Sequence, residues 1–394
     1  MLRSWGTMRD VSIEPVSERS RQWAATMSGF ANGDVEVTLA HHDSHALVGV
    51  GETVEPEPRG ARARREAQLD SWWAPGATRG VGAGRRERAE EPDALRTCFE
   101  RDRDRILHSS AFRRLGGKTQ VFIFPDDHMR TRLTHALEVA QVATGIARPT
   151  GLNEALTEAI ALGHDCGHGP GGHASEEALD PFVDGGFDHA VWGAEVSLAS
   201  LNLCAETLDG IANHSWARPA PSTPEGEVVS WADRIAYVCH DFEDAVSAGL
   251  VEPADLPAIV RERCGARRGQ QLGSFIHAVI STVHERGVVG MSAYYAEALT
   301  AFRTFNYEVI YLRDASRQQG AAVVTMLREL VEYYRERPEL IPDVARRTNV
   351  DPSDASALHD AVAYVAGMTD RYACQRALTD LRWTTDRLPQ GIDR

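Results

Sequence analysis

Apolar residues recur at helical spacing through most of the chain beyond residue 96. In FERDRDRILHSSAFRRL (99–115), Ile106, Phe112 and Leu115 make an apolar face among arginines. TRLTHALEVAQVATGIARPTG (131–151) carries two adjacent stripes, Leu133, Leu137 and Ala140 on one and His135, Val139, Val142 and Ile146 on the next, closed by Pro149 and Gly151. A helix apolar around so much of its circumference predicts burial. NEALTEAIALGHD (153–165) repeats the pattern, with Asn153 as its N-cap, and runs out at the glycines after His164 and Asp165. AVWGAEVSLASLNL, EVVSWADRIAYVCHDFEDAVSAGL, LGSFIHAVISTVHERG, SAYYAEALTAFRTFNYEVIYL and GAAVVTMLRELVEYYRERPEL all read as amphipathic helices. No alternating series of comparable length and no fixed repeat follows residue 100, so the fold class is all-α, a globule of many packed helices.

The first 95 residues differ in character. VEVTLAHHDSHALVGVGETVE has some strand-like alternation, whereas PEPRGARARREAQLDSWWAPGATRGVGAGRRERAEEPD is rich in Arg, Gly, Pro and Ala with little periodicity. The pattern reads as a flexible N-terminal extension; a small strand-bearing module near 34–51, or a translation start at Met8 or Met27, are the alternatives.

Composition narrows the function classes. A chain of 394 residues, 43% hydrophobic, has material for a large core and an enzyme-sized cavity. Its formal net charge of -15 opposes general adhesion to duplex DNA or anionic membrane, although a local basic groove stays open. Cys98, Cys166, Cys204, Cys239, Cys264 and Cys374 form no CxxC pair, which suits a reducing cytoplasm and argues against a disulfide framework or a thiolate zinc site. No stretch approaches about 20 consecutive apolar residues, so a soluble cytoplasmic protein is expected.

The candidate chemistry lies in ALGHDCGHGPGGHASEEAL (161–179) and its surroundings. Borderline divalent metals accept imidazole nitrogen and carboxylate oxygen together. His135 sits in one buried-type helix, His164 and Asp165 end the next, and Asp233 sits in a third. Singly, each is most simply a hydrogen-bonded core residue; jointly they read as a metal site. An adjacent His-Asp pair diverges by about 100° on an ideal helix and reaches one ion best where the helix ends, as the following glycines require here.

The order His135, His164-Asp165, Asp233 resembles the H...HD...D signature of HD-domain metal-dependent phosphohydrolases. RDRDRILHSSAFRRLGGKTQVF, TRLTHALEVAQVA, EAIALGHDCGHGPGGHASEEAL, GIANHS and WADRIAYVCHDFEDA resemble, more finely, the dGTPase-like branch of deoxynucleoside triphosphate triphosphohydrolases, over about residues 97–313. The resemblance implies three regions: an extension (1–95), an HD-type phosphohydrolase core (96–313) and a C-terminal helical region packed on it (314–394). It implies metal-dependent hydrolysis of a dNTP to deoxynucleoside and inorganic triphosphate. His135, His164, Asp165 and Asp233 would hold the divalent ion, which such a mixed set allows to be Mn, Mg, Fe, Zn or Ni.

By the same resemblance His168, His173 and Glu176 transfer protons and His189 lies near the phosphates. Histidine suits a poor alkoxide leaving group at neutral pH. Arg132, one turn ahead of His135, and Arg234, beside Asp233, are placed to neutralise phosphate. Tyr237 and Asp241 follow Asp233 at intervals of four and so share its helical face; the family places them near the sugar, with Gln120 and Tyr307 in further matching segments. Related enzymes assemble as homo-oligomers and respond to nucleotide effectors.

Two departures bear on substrate fit. The family's HxPFGH reads HGPGGH here, with Gly171 replacing the aromatic, and the asparagine and glutamine usual after His189 are replaced by Ala190 and Trp192. Other readings compatible with the sequence are an HD phosphohydrolase of nucleoside monophosphates or another phosphoester, and a non-catalytic nucleotide sensor. A single-stranded nucleic-acid binder would use the arginines of 101–114.

Overall fold

The computed structural model describes residues 17–26, 29–32, 37–43, 62–122, 129–342 and 354–390. Contacts divide the chain into residues 1–59 and 60–394. The first unit holds helix α1 (Glu18–Thr26) and an antiparallel hairpin of β1 (Phe30–Asn32) and β2 (Val37–Leu39), with Phe30 opposite Leu39. The strand module expected near 34–51 therefore begins earlier than its sequence signal; residues 44–51, Met8 and Met27 lie outside the described residues.

Among its described residues the second unit's regular elements are all helices, joined by turns, loops and two isolated β-bridges, in keeping with the all-α pattern. It begins with α2 (Arg62–Trp72), α3 (Cys98–His108) and α4 (Ser110–Arg114). The central pair follows, α5 (Arg132–Thr150) and α6 (Glu154–Gly163), then the short helices α7 (His173–Leu179), α8 (His189–Trp192) and α9 (Ala205–Ala212). The long α10 (Pro224–Ser247) packs across α5 and α6, and α11 (Ala258–Cys264), α12 (Arg268–Arg286) and α13 (Ala293–Asn306) flank it. The chain closes with α14 (Asp314–Glu336), α15 (Ala355–Ala366) and α16 (Asp370–Thr379).

Caps set these boundaries. Asn153 accepts from the Leu156 N–H at 3.3 Å as predicted, and Thr223 caps α10 ahead of Pro224 at its first position. α5 is buried on most sides through Ala136, Val139, Val142, Ala143 and Ile146, whereas Leu137, assigned to an apolar stripe by its spacing, is 48% exposed. AVWGAEVSLASLNL is not one helix. It breaks into α8, a π-helical turn (Gly193–Ser197) and a 3₁₀ turn (Ala199–Leu201), because its backbone crosses that of Gly167 too closely for a side chain.

Apolar side chains form two clusters. One is built on α3, α5, α6, α10, α12 and α13; the other joins α7, Phe187 and Trp192 to α14, α15 and α16. The segment from His164 to Gly172 passes from the first to the second.

Residues 62–95, assigned by composition to the extension, are laid against this helical body. The Ala74 N–H donates to the Gly151 carbonyl at 2.7 Å, and Arg86 makes a buried ion pair with Asp102 at 2.6 Å. Glu225, wholly buried, accepts from the Thr78 N–H, the Thr78 hydroxyl and the Asn153 N–H at 3.0, 2.6 and 2.9 Å. Glu225→Gln replaces one acceptor oxygen with an amide that faces donors. A loss of about 2 kcal/mol is expected from urea denaturation, and an unchanged midpoint would deny this anchor its importance.

Candidate active site

The sequence-selected residues gather at one cavity of about 550 Å³: all but His164 and Glu176 line it, and those two contact residues that do. Five helix ends or faces supply most of them. The first turns of α5 bring Arg132 and His135, the frayed end of α6 brings His164 and Asp165, α7 and α8 bring His173, Glu176 and His189, and one face of α10 brings Asp233, Arg234, Tyr237 and Asp241.

Imidazole and carboxylate meet at its floor. His135 Nε2 lies 3.0 Å from Asp233 Oδ1, and His164 Nε2 lies 3.8 Å from the same oxygen and 3.5 Å from Asp165 Oδ1. His164 Nδ1–H donates to the Ala161 carbonyl at 2.7 Å, so its Nε2 carries the lone pair; that atom is buried without a hydrogen-bond partner. Ligand atoms of His135, His164 and Asp233 all lie within 4.8 Å of one another, as do those of His164, Asp165 and His214. An orphaned imidazole nitrogen between two carboxylates is what a divalent ion would satisfy, so the residues fit a metal.

The electrostatics agree. Burial opposes ionisation of Asp165, yet Arg132 at 2.7 Å and the neighbouring imidazoles hold its carboxyl well below the usual range. Asp233 is likewise held low against burial, chiefly by its hydrogen bond to His135. Both are ready anionic ligands.

Beside this floor one carboxylate orients two imidazoles. Glu176 Oε2 pairs with His173 Nδ1 at 3.0 Å and Oε1 with His189 Nδ1 at 2.5 Å. Burial penalises the His189 cation, but Glu176 outweighs it and raises the imidazole's affinity for a proton. His168, stacked on His189 at 3.7 Å, is pushed the other way by burial and by Arg132. The pKa values of these neighbouring imidazoles are thus shifted in opposite directions.

His214, passed over in the sequence, is 2% exposed and lies at the centre of this group. Its Nδ1–H donates to the Ile211 carbonyl at 2.8 Å and its Nε2 lies 3.3 Å from His189 Nε2. Burial and the adjacent imidazoles lower its pKa to about 4, so it stands neutral. The signal was the histidine of GIANHS, which lacks helical phase with the other ligands.

The upper wall differs more from expectation. Asp241 is not a solvated acid: it is 3% exposed, with one oxygen held by Arg130 and the other by the Tyr311 hydroxyl. Tyr237 accepts from Arg303 Nε at 3.1 Å. Arg234 stacks on the Trp216 ring at 3.5 Å. Gln120 lines the cavity with its Oε1 buried and unpartnered, and Tyr307, half-exposed, lines the rim. Tyr311 reaches the cavity because α13 continues as a π-helical turn (Tyr307–Tyr311). Arg130, Trp216, Arg303 and Tyr311 were invisible to the sequence reading, since each matters through a partner far away in the chain.

The two departures have local explanations. Gly171 has φ +76°, and a Cβ there would come within 2.6 Å of Val323 Cγ1, so α14 fills the space an aromatic would need. Trp192 is buried in the second apolar cluster against Phe187, at 5.0 Å.

The HD domain profile matches residues 132–238, the span from Arg132 through Asp233 and Tyr237, and a phosphohydrolase-associated domain profile matches 289–378. A deoxyguanosinetriphosphate triphosphohydrolase-like protein of Caldanaerobacter subterraneus is 43% identical over 296 residues, covering 73% of this chain and 86% of that one. The chain belongs to this dGTPase-like family of HD-domain phosphohydrolases. Like-named family members from Clostridium perfringens (42% identical, 73% of this chain, 87% of theirs) and Syntrophus aciditrophicus (35%, 79% and 94%) are similar over comparable spans. The family's associated domain corresponds to α13–α16, the helices beneath Tyr307, Val323 and Asp370. No helix among the described residues is long and apolar enough to cross a membrane.

Proposed function

We propose that this chain hydrolyses deoxynucleoside triphosphates to deoxynucleoside and inorganic triphosphate. The observation that carries the reading is charge placement. Above an anionic His/Asp floor, Arg234 and Arg303 line the cavity with no carboxylate of the described residues within ion-pair distance, and Arg132 keeps Nε and one terminal nitrogen buried and, among the described residues, unpartnered after pairing with Asp165. Cationic donors left open around such a floor suit a polyanion.

His135, His164, Asp165 and Asp233 would hold the divalent ion, which when bound acidifies water and polarises the α-phosphate. The bond formed joins the water oxygen to the α-phosphorus; the bond broken joins that phosphorus to O5′, which takes up a proton. Glu176 fixes His173 through Nδ1, leaving Nε2 free to pass that proton, and favours the protonated form of His189 beside the phosphates. His168, kept neutral, serves as acceptor on the water side. Tyr237, with Asp241 locked by Arg130 and Tyr311, forms the wall against the sugar, and Gln120 and Tyr307 border it. Six cysteines without a CxxC pair support a cytoplasmic setting for the reaction.

Incubation with each dNTP, singly and as an equal mixture, with Mn or Mg, followed by ion-exchange chromatography, tests this. Deoxynucleoside plus triphosphate is expected, and activity confined to the mixture would reveal a nucleotide effector. Orthophosphate from monophosphates, with dNTPs untouched, would replace the reading with a monophosphatase. Arg234→Ala should raise KM and the inhibition constant of inorganic triphosphate together, by about 10-fold or more, as expected for a lost charged hydrogen bond. Unchanged inhibition would place Arg234 away from the phosphates.

A further inference from the structure

The glycine-rich loop between His168 and His173 is gripped at both ends by two buried charged side chains. At its start, Lys118 Nζ donates to the His168 carbonyl and, at 3.0 Å, to the Ala366 carbonyl at the end of α15. At its far end, Asp370, the first residue of α16, accepts the Gly171 N–H through Oδ1 at 2.9 Å. Asp370 Oδ2 accepts the Thr119 N–H at 2.9 Å and its hydroxyl at 2.5 Å, which fixes the strand of chain leading to Gln120. Lys118 is 3% exposed and Asp370 7%.

We infer that Asp370, with Lys118, is a positioning residue through which the C-terminal helices set the geometry of the His168–His173 loop. The inference rests on the reading that this loop carries proton-transfer groups. From the start of α7 the buried Ser175 hydroxyl accepts the Gly169 N–H at 3.0 Å and donates to the Gly172 carbonyl at 2.6 Å, which leaves the Gly171 N–H and the His168 carbonyl to other partners. Between His168 and His173 its residues are glycines and one proline, with no side chain long enough to anchor it. Loop position is therefore delegated to groups outside it. Asp370 accepts three hydrogen bonds at once, a count that only a carboxylate with both oxygens turned inward fulfils. Neither Lys118 nor Asp370 lines the catalytic cavity, so both act through the loop backbone. The phosphohydrolase-associated region thereby becomes part of the active centre instead of a separate attachment.

The test compares Asp370→Asn with the wild-type full chain. Asparagine keeps size but turns an amide donor toward donors that need an acceptor. Hydrogen exchange should rise at 169–172 and 119–121 while α5 and α6 stay protected. Mn affinity, read by electron paramagnetic resonance, and KM should stay within about twofold, while kcat falls about 10- to 100-fold, the size of effect of an ångström-scale misplacement. Unchanged exchange and kcat would overturn the inference. So would Mn affinity and KM collapsing with kcat in a folded protein, because damage would then not be confined to the loop. Should Asp370→Asn fail to fold, Thr119→Val removes one of the three donors without touching α16, and its kcat should fall with Mn binding intact. If the wild type leaves dNTPs uncut, the functional reading fails while the exchange measurement still decides the clamp.

Discussion

Asp233→Ala should abolish turnover and metal binding together. Its Oδ1 is the atom that His135 Nε2 and His164 Nε2 both approach, at 3.0 and 3.8 Å, so removing it takes away the common point of the cluster. The two imidazoles and Asp165 remain, but with one of the two carboxylates gone a divalent ion is left under-coordinated. A fall of about 1000-fold in kcat is expected if the metal supplies several kcal/mol of transition-state stabilisation. Mn affinity measured by calorimetry should fall by about 100-fold or more, beyond the 10- to 100-fold typical of groups that merely support ligands. Dialysis against a chelator should reproduce the activity loss in the wild type and Mn should reverse it. Retained Mn binding in Asp233→Ala would remove this residue from the ligand set.

Gly167→Ala is expected to be the most damaging conservative change in the chain. A Cβ there would stand 1.9 Å from the His189 carbonyl oxygen and 2.4 Å from the Gly193 nitrogen, both backbone atoms that no side-chain rotation can clear. Two segments must separate, one carrying Asp165 and His168 and the other His189. Overpacking of this kind costs roughly 3 kcal/mol or more, at the upper end of such substitutions. Both the urea midpoint and activity should drop, with activity falling even at temperatures where the protein stays folded. Wild-type stability in this variant would mean that the two backbones do not cross as described.

What could be read beforehand divides along a physical line. Helix positions followed from local periodicity and caps, as Asn153 and the α5 pattern illustrate, because a helix is a local object. The residues now grouped at the cavity floor could be named from motif text, since His135, His164, Asp165 and Asp233 sit in short recognisable strings. Relations between strings could not. Asp241 reads as an ordinary helix acid, and only the fold brings Arg130 and Tyr311 to its two oxygens. Asp370 reads as a helix N-terminal acid, and only the fold carries it to Thr119 and Gly171. The arginine-rich residues 62–95 suggested flexibility by composition, yet Arg86 finds a buried carboxylate and Thr78 finds Glu225.

The π-helical turn at Tyr307–Tyr311 has a bearing on how this chain can vary. Such a turn is an α-helix carrying one surplus residue, which widens the coil and shifts everything beyond it by about 100°. Deleting one residue there would let α13 run to its end with regular α-helical bonding, the chain still turning through Leu312 and Arg313 into α14. The same deletion would swing Tyr311 off Asp241 and leave that carboxylate held by Arg130 alone. A length change of one residue is thus mild for the architecture and severe for the cavity wall formed by Tyr237, Asp241 and Tyr311, so insertions and deletions at this point should be tolerated by folding and refused by function.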